Sequence, residues 1–361
     1  MTSKLDINHS NGLPTVKPII ISGPCSAESP EQLMSTAQEL AKTGKINILR
    51  AGVWKPRTRP NAFEGIGEEA LQWLADAGKE THLPTSTEVA TTGHVESALK
   101  AGIDILWIGA RTTTNPFSVQ AIADALKGID IPVMVKNPIN PDINLWVGAL
   151  ERINRAGITQ LSAIHRGFST FHQQYRNAPL WEIPLKLKML FPEMPLINDP
   201  SHIAGNRTHL QQVAQKAMDL DMDGLMIESH IDPTQALSDA QQQLTPKNLG
   251  LMLDELQYRS SSSNSKSYNV KLEELRSQID QIDNEILEAL GKRMSVTGEI
   301  GHYKKSNEVT IFQIDRWKEI LDTRQPFAIS NGLSETFTDK FLQLVHDESI
   351  RVQTEILNQK K

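Results

Sequence analysis

The sequence predicts an α/β fold, a (β/α)8 barrel of the TIM type, followed by a small all-α helical domain. Three observations support this prediction: eight short apolar runs within residues 18–256, amphipathic stretches between them, and purely helical periodicity after residue 267. Short runs that are rich in β-branched residues and separated by helices are typical of parallel βα units. Eight such units in about 240 residues match the length of a (β/α)8 barrel.

The eight strand candidates follow one another along the first part of the chain. They are KPIIIS, INILRAG, THLPTS, ILWIGA, PVMVK, ITQLSAI, PLIND and GLMIE. Segments such as EQLMSTAQELAKTG and EEALQWLADAGKE lie between them and have the amphipathic pattern of surface helices. An open, doubly wound sheet is the main alternative. It is disfavoured because GPCS, after the first strand, is not the GxGxxG turn with which that fold binds phosphate.

A Ser-rich segment, RSSSSNSKS at residues 259–267, has no apolar residue and is typical of a flexible linker. It divides the chain into a barrel domain, residues 1–258, and a helical domain, residues 268–361. In the second domain, apolar residues recur at intervals of three and four, as in a long amphipathic helix. They are Leu272, Leu275, Ile279, Ile282, Ile286 and Leu290. Further helices are predicted at residues 314–325 and 334–357.

Composition excludes several classes of function. The net charge of −6 argues against nucleic acid or an anionic membrane as the main partner. The N-terminus lacks the apolar core of a signal peptide, and no apolar run approaches the roughly 20 residues that span a bilayer. The single cysteine, Cys25, cannot form an intrachain disulfide, which is typical of a reducing compartment. We therefore predict a cytoplasmic protein with small-molecule substrates.

Polar side chains follow every predicted strand. Residues at the C-terminal ends of barrel strands converge on one face, where the active sites of such barrels lie. In chain order these residues are Cys25, Arg50 with Lys55, Arg57 and Thr58, Glu88, Arg111, Lys136, His165 with Arg166, Asp199 with His202, and Glu228 with Asp239 beyond it. A solvated rim would not require so many cations beside four potential metal ligands, so we expect an active site on this face.

The cations and the potential metal ligands have different predicted roles. Arginine suits bidentate recognition of phosphate and carboxylate, and lysine offers a compact charge, so the cations could hold phosphorylated substrates. Cys25, His202, Glu228 and Asp239 offer a thiolate, an imidazole and two carboxylates. This mixed set suits Mn, Fe, Co or Zn better than Mg or Ca. The alternative for Cys25 is that of most lone cysteines, a small buried apolar side chain.

Together GPCS, LRAGVWKPRT, IGAR, VKN, HRG, DPSH and IE resemble 3-deoxy-D-arabino-heptulosonate 7-phosphate (DAHP) synthase of the short type I beta class. The resemblance implies a condensation of phosphoenolpyruvate with erythrose 4-phosphate, which is the first step of the shikimate pathway. It implies a divalent metal, Mn²⁺ first and Co²⁺, Fe²⁺ or Zn²⁺ as alternatives, on Cys25, His202, Glu228 and Asp239.

The same resemblance implies substrate and catalytic residues. Phosphoenolpyruvate would bind Arg50, Lys55, Arg111, Lys136 and Arg166, and erythrose 4-phosphate would bind Lys55, Pro56, Arg57 and Thr58. Lys55 and Glu88 would be the catalytic residues. The nearest alternative is a 3-deoxy-octulosonate 8-phosphate synthase that uses arabinose 5-phosphate. That family carries an Asn-Arg-Ser type loop where this chain has KPRT.

In the second domain, LRSQIDQIDNEILEALGKRMSVTGEIGHYKK followed by IDR resembles the AroQ-type chorismate mutases. The resemblance implies a cofactor-free rearrangement of chorismate to prephenate in a dimer. It implies catalytic roles for Arg276, Arg293, Lys304 and Gln353, and substrate contacts for Arg316 and Ser349. Trp317 stands where the family usually has glutamate, and Gln313 replaces a frequent aspartate, so we expect reduced activity.

Helix geometry constrains this second site. Arg276 and Arg293 are seventeen residues apart, about 100° around one straight helix, so they should not reach one pocket from the same chain. We therefore expect a dimer in which the partner supplies Arg276. Because one chain joins a pathway's entry step to a later step, we also expect feedback inhibition by chorismate or prephenate. The alternative is a helical domain that dimerises and senses ligand without catalysis.

Overall fold

The computed structural model describes residues 5–8, 12–56, 62–170, 174–259 and 262–359. The chain divides into two compact units, Met1–Ser261 and Ser262–Lys361. Across the described residues, all eight strands belong to the first unit. No helix in the described part of the chain combines the length and the apolar character needed to cross a membrane.

Eight parallel strands close into a barrel in sequence order around the ring. They are β1 (Ile19–Gly23), β2 (Ile48–Arg50), β3 (Thr85–Val89), β4 (Ile105–Ile108), β5 (Val133–Lys136), β6 (Leu161–His165), β7 (Leu196–Asn198) and β8 (Gly224–Glu228). The ring closes where β1 pairs with β8, from Ile19 opposite Gly224 to Gly23 opposite Glu228. The predicted (β/α)8 barrel is confirmed.

Ten helices surround the strands in the described residues of the first unit. They are α1 (Pro30–Lys42), α2 (Glu69–Thr81), α3 (Thr92–Lys100), α4 (Ala110–Thr113), α5 (Pro116–Ala125), α6 (Ile143–Arg155), α7 (Glu182–Leu190), α8 (Pro200–Ala204), α9 (Leu210–Asp219) and α10 (Pro246–Glu255). Sequence signals explain where several begin. Ser29 caps α1 by accepting a hydrogen bond from the backbone of Gln32, and Pro30 occupies the first helical position.

The core has two layers because successive strand residues face opposite sides. Ile19 and Ile21 of β1 point into the barrel, and Ile20 points outward against the helices. The inner layer consists of Ile19, Ile21, Ile48, Ile105, Trp107, Met134, Ile164, Ile197 and Met226. These side chains fill the interior, so polar residues at the strand ends meet above a packed floor rather than a pore.

The third strand differs from the prediction. We predicted it at residues 81–86, whereas β3 runs from Thr85 to Val89. Thr81 is the last residue of α2, and His82 ends that helix in the left-handed conformation with φ of 56°. The strand therefore begins after the turn, and Glu88 lies within it rather than after it.

The second unit consists of three helices, α11 (Lys266–Ser306), α12 (Ile314–Ser330) and α13 (Glu335–Asn358), in the described residues. The all-α prediction is confirmed. Helix α11 begins at Lys266, within the last two residues of the segment 259–267 that was predicted to be a linker. The reason is that the Ser265 hydroxyl accepts a hydrogen bond from the backbone of Tyr268 and caps the helix.

The apolar stripe of α11 is only partly covered within its unit. Leu275, Ile279, Ile282 and Ile286 are between 44% and 58% exposed. Further along, α11 packs against α13, and a Cβ at Gly301 would lie 3.2 Å from the Ile356 side chain. The first half of this long helix therefore presents an exposed apolar face.

Candidate functional site

Charged side chains from different strands surround a cavity of about 450 Å³ at the C-terminal end of the barrel. Its lining includes Lys55, Glu88, Arg111, Lys136, Arg166, Arg176, His202 and Asp239. All except Arg176 were predicted from their positions after strands. Five cations in one small cavity can hold strongly anionic ligands.

Three of the four predicted metal ligands lie together beside this cavity. The ligand atoms of Cys25, Glu228 and Asp239 are all within 4.8 Å of one another. Nε2 of the fourth predicted ligand, His202, lies 3.8 Å from Glu228 Oε1. Sulfur, nitrogen and carboxylate donors in one cluster fit a divalent transition metal.

Two groups of this cluster have strongly shifted pKa values. Burial, and then the neighbouring Glu228 carboxylate, raise the pKa of the Cys25 thiol to about 12. A thiol with that pKa stays protonated at neutral pH, and a cation is what converts such a thiol into a thiolate ligand. Burial also raises the pKa of Asp239, but His202 and Arg176 outweigh it, so the pKa lies well below its usual value.

His202 is held in the orientation of a metal-binding histidine. Its Nδ1 lies 2.8 Å from Asp199 Oδ2, and its backbone donates to Asp199 Oδ1 at 3.1 Å. An imidazole that donates from Nδ1 to a carboxylate has Nε2 available as a metal ligand. Asp199 also accepts a hydrogen bond from Lys136 at 2.8 Å and is fully buried. Burial raises the pKa of Asp199, but His202 and Lys136 overcome this effect and hold it well below its usual range.

Arg50 contacts the acidic groups directly. It is 1% exposed, and one guanidinium nitrogen donates to Glu228 Oε1 at 3.0 Å. The other donates to the Cys25 carbonyl at 3.1 Å, and the guanidinium lies 4.9 Å from the centre of the Trp107 ring. These contacts engage Arg50 in a buried ion pair, while Arg111 and Arg166 line the cavity.

Of the two predicted catalytic side chains of the barrel, Lys55 lies beside the acidic cluster and Glu88 lies in the cavity wall. The Lys55 ammonium contacts the Cys25 carbonyl and lies 3.2 Å from the Cys25 sulfur. Glu88 accepts a hydrogen bond from the Trp107 indole at 3.1 Å. Pro56 also lines the cavity, whereas Arg57 and Thr58 lie outside the described residues.

Three residues that contact the acidic cluster were missed. Arg176 donates to Asp239 at 3.0 Å, and the buried side chains of Gln242 and Gln243 hydrogen-bond to the same region. The prediction considered residues that directly follow strands. Arg176 was missed because it lies in a connection, ten residues beyond Arg166. The available signal was the run of three glutamines, residues 241–243, that begins two residues after Asp239.

In the second unit, three of the predicted mutase residues come together between α11 and α13. Arg293 donates to the Ser349 hydroxyl at 2.7 Å, and Gln353 lies one turn beyond Ser349. The Gln353 amide oxygen is buried and, among the described residues, has no hydrogen-bond partner. The Lys304 ammonium contacts the backbone carbonyl of Ile311.

Arg276 and Arg316 are not brought to this cluster. Arg276 pairs with Glu273 at 2.6 Å, and Arg316 pairs with Glu319 at 2.6 Å, on exposed helix faces. Seventeen residues of α-helix place Arg276 about 25 Å from Arg293 along the axis.

Trp317, which stands where the family usually has glutamate, packs against a histidine. Its ring stacks on His346 with centroids 4.0 Å apart. Phe312 meets the same imidazole edge-on with centroids 5.7 Å apart. An aromatic cluster therefore occupies the position expected for a carboxylate.

Two family models match the chain, one for each unit. The model of the DAHP synthetase I family matches residues 6–262. The model of chorismate mutase type II matches residues 275–354.

Individual relatives match the barrel. A Thermotoga maritima protein named phospho-2-dehydro-3-deoxyheptonate aldolase is 32% identical over 240 residues, which cover 66% of this chain and 68% of that protein. A Stenotrophomonas maltophilia protein named 2-dehydro-3-deoxyphosphooctonate aldolase is 26% identical over 239 residues, covering 61% and 83%.

Two solved structures each match about two thirds of the chain. The crystal structure of the Thermotoga maritima DAHP synthase has a TM-score of 0.59 and 29% identity, covering 66% of this chain and 67% of that one. A truncated form of the Thermotoga maritima synthase gives the same TM-score at 26% identity, covering 69% and 89%.

Proposed function

The chain belongs to the DAHP synthetase I family, and we propose from that premise that its barrel condenses phosphoenolpyruvate with erythrose 4-phosphate to give DAHP and phosphate. The observation that carries the proposal is the cluster of cations beside the acidic group at one end of the barrel. Two anionic substrates held side by side need such surplus positive charge. The chain also carries a chorismate mutase domain, for which we propose the rearrangement of chorismate to prephenate.

The proposed condensation assigns a task to each cavity residue. Arg111, Lys136 and Arg166 hold the phosphate and carboxylate of phosphoenolpyruvate. Burial lowers the pKa of Arg166 to about 10, which leaves it cationic at neutral pH. The remaining proposed substrate contacts are those of the resemblance, from Arg50 for phosphoenolpyruvate and from Lys55, Pro56, Arg57 and Thr58 for erythrose 4-phosphate.

The proposed chemistry uses Lys55 and Glu88. The enol carbon attacks the aldehyde carbon, and Lys55 gives a proton to the alkoxide that forms. The Glu88 carboxylate stabilises the positive charge that develops at C2 of the former phosphoenolpyruvate. Water adds at C2, and the resulting hemiketal phosphate releases phosphate by cleavage of the C–O bond.

We propose that a divalent metal binds Cys25, His202, Glu228 and Asp239. Mn²⁺ is the first candidate, and Co²⁺, Fe²⁺ or Zn²⁺ are alternatives, because these ions accept mixed sulfur, nitrogen and oxygen donors. When bound, the metal supplies Lewis acidity at the aldehyde and orients it.

For the mutase we propose a dimer in which a second copy supplies Arg276. The partly exposed apolar stripe on α11 and the distance between Arg276 and Arg293 support this arrangement. Arg276 and Arg293 would pair with the two substrate carboxylates. Lys304 and Gln353 would donate to the ether oxygen, where negative charge grows as the bond breaks.

We further propose that chorismate or prephenate, bound by the mutase domain, inhibits the barrel. The support is that one chain joins the entry step of a pathway to a later step. At least one of chorismate and prephenate, assayed separately, should lower the initial rate of the condensation and change the small-angle scattering of the full chain. An unchanged rate would contradict the proposed feedback.

We also infer that the protein works in the cytoplasm, because a cysteine that serves as a metal ligand has to remain reduced. The prediction can be checked by cell fractionation. Recovery of the chain from an oxidising compartment would contradict it.

The first experiment follows the absorbance of phosphoenolpyruvate with erythrose 4-phosphate, before EDTA, after EDTA and after Mn²⁺ is restored. Loss that depends on the metal is expected with this aldose alone. Arabinose 5-phosphate is run in parallel, because the Stenotrophomonas maltophilia relative carries the name of an octonate aldolase. Consumption with arabinose 5-phosphate only would replace the proposed substrate by the five-carbon sugar.

The second experiment measures chorismate turnover by the full chain. Turnover that persists in EDTA is expected, because the mutase domain is proposed to need no cofactor. No turnover would favour the alternative, a helical domain that dimerises and senses ligand without catalysis.

A further inference from the structure

Two consecutive buried glutamines hydrogen-bond beside three of the proposed metal ligands. Their partners are the Glu228 side chain, the Cys25 backbone and the backbone just before Asp239. We propose that Gln242 and Gln243 are positioning residues that set the geometry of the metal site. The proposal rests on the proposed metal-dependent function and adds two residues outside the ligand set. Both side chains are at most 1% exposed.

Both polar atoms of the Gln242 amide are hydrogen-bonded, one to a carboxylate and the other to an arginine. Its Nε2 donates to Glu228 Oε2 at 2.7 Å, and its Oε1 accepts from Arg176 at 2.8 Å. The same Arg176 nitrogen donates to Asp239 Oδ1 at 3.0 Å. A carboxylate can only accept and a guanidinium can only donate, so these partners fix the orientation of the amide. Gln242 therefore orients Glu228 directly and Asp239 through Arg176.

Gln243 acts on the backbone instead. Its Oε1 accepts from the Cys25 backbone N–H at 2.9 Å, and its Nε2 donates to the Ser238 carbonyl at 2.8 Å. Ser238 directly precedes Asp239. One side chain thus joins the loop after β1, which carries the thiol, to the loop beyond β8, which carries a carboxylate.

The cluster needs such support for two reasons. Glu228 and Asp239 place two carboxylates beside the Cys25 sulfur, and like charges at this separation repel. Asp239 also has a φ of 49°, a left-handed conformation that is uncommon outside glycine, although aspartate adopts it more often than most residues. Surrounding contacts have to hold both features, and the amides of Gln242 and Gln243 provide such contacts.

The test compares three Gln→Met variants of the full chain. Gln242→Met and Gln243→Met keep a similar side-chain length and remove the hydrogen bonds. Gln241→Met is the matched control, because Gln241 is the adjacent residue and is exposed. Mn²⁺ dissociation constants are measured without substrate from the electron paramagnetic resonance signal of the free ion. Loss of a partner that orients a ligand typically weakens metal binding about 10–100-fold.

We expect that loss for Gln242→Met and Gln243→Met and an unchanged constant for Gln241→Met. The thiolate-to-cobalt absorption band of the Co²⁺-loaded protein should also shift in Gln243→Met, because Cys25 loses its backbone anchor. Mn²⁺ constants within about twofold of the parent for both buried variants, below the range seen for such partners, would overturn the proposal.

Two further outcomes separate this proposal from the proposed reaction. If the parent protein binds neither Mn²⁺ nor Co²⁺, both the proposed metal site and the proposed role of the glutamines are wrong. If the parent binds Mn²⁺ but does not consume erythrose 4-phosphate, the reaction is wrong and the metal affinities still decide the role of Gln242 and Gln243.

A readout in the parent protein covers the case in which the buried variants do not fold. The Cys25 amide, held by Gln243, should be protected from hydrogen exchange in the metal-free full chain. Exchange of this amide at the rate of an exposed one would overturn the anchoring role.

Discussion

Replacing Arg50 by methionine should destabilise the barrel by about 4 kcal/mol, because it removes the cation that is hydrogen-bonded to the buried Glu228 carboxylate. Arg50 and Glu228 are both buried, and their charged atoms are 3.0 Å apart. Removing one partner of a buried ion pair typically costs about 3–5 kcal/mol. The guanidinium also lies over Trp107, and such a desolvated contact contributes up to about 2 kcal/mol. Apolar packing of the methionine side chain offsets part of this loss.

The free energy of unfolding is measured by urea denaturation of the metal-free full chain in EDTA, so that metal binding does not contribute. A loss of 4 kcal/mol corresponds to a fall in Tm of about 8–16 °C for a unit of this size. Arg152→Met is the matched control, because Arg152 is exposed and donates only to Gln120 at 2.7 Å among the contacts described. Its effect should stay within about 0.5 kcal/mol.

A double variant tests the cause of the loss. The variant that carries both Arg50→Met and Glu228→Met has neither charge. If the cost of Arg50→Met comes from an unpaired buried charge, the double variant should lose less stability than the single variant. A single-variant effect below about 1 kcal/mol would refute the reasoning, because exposed ion pairs already contribute that much.

Three further predictions concern the mutase domain and the response to acid. Arg293→Gln should lower kcat/KM for chorismate about 10²–10³-fold with the condensation rate unchanged, because it removes a charged donor; a fall below threefold would contradict this. Trp317→Glu should raise mutase turnover about tenfold, the worth of one hydrogen bond, because it restores the carboxylate that the family usually has at this position; no gain would show that the tryptophan is not limiting. Burial lowers the pKa of His165 to about 3, below its unfolded value of about 6.5, so acidification favours the unfolded state. His165→Gln should therefore reduce the slope of unfolding free energy against pH between 6 and 4 by about 1.4 kcal/mol per unit, and an unchanged slope would count against it.

Much of the fold was predictable because strand and helix signals are local. Seven of the eight predicted strands overlap the observed ones along most of their length, and the three helices of the second unit lie where periodicity placed them. The third strand shows the limit. His82 takes a left-handed conformation that ends α2, and nothing in the alternation of THLPTS distinguishes that helix end from a strand.

The site was predictable to the extent that its residues follow strands. Arg111, Lys136 and Arg166 meet in the cavity as expected from parallel strands that end on one face. Gln242 and Gln243 were missed because a neutral amide on a connection carries no periodic signature. Their contacts with the proposed metal ligands can be recognised only when the hydrogen-bond partner of each amide atom is known.

By itself, the sequence determined the class of each element, the order of the strands and the kinds of side chain at their ends, since these depend on neighbours within a few residues. Only the tertiary structure decided that Arg50 faces Glu228 and that Gln243 holds Cys25. Each of these pairs joins residues well over 100 positions apart. Hydrogen bonds and ion pairs act over a few ångströms, so they form only after β1 pairs with β8 and the ring closes.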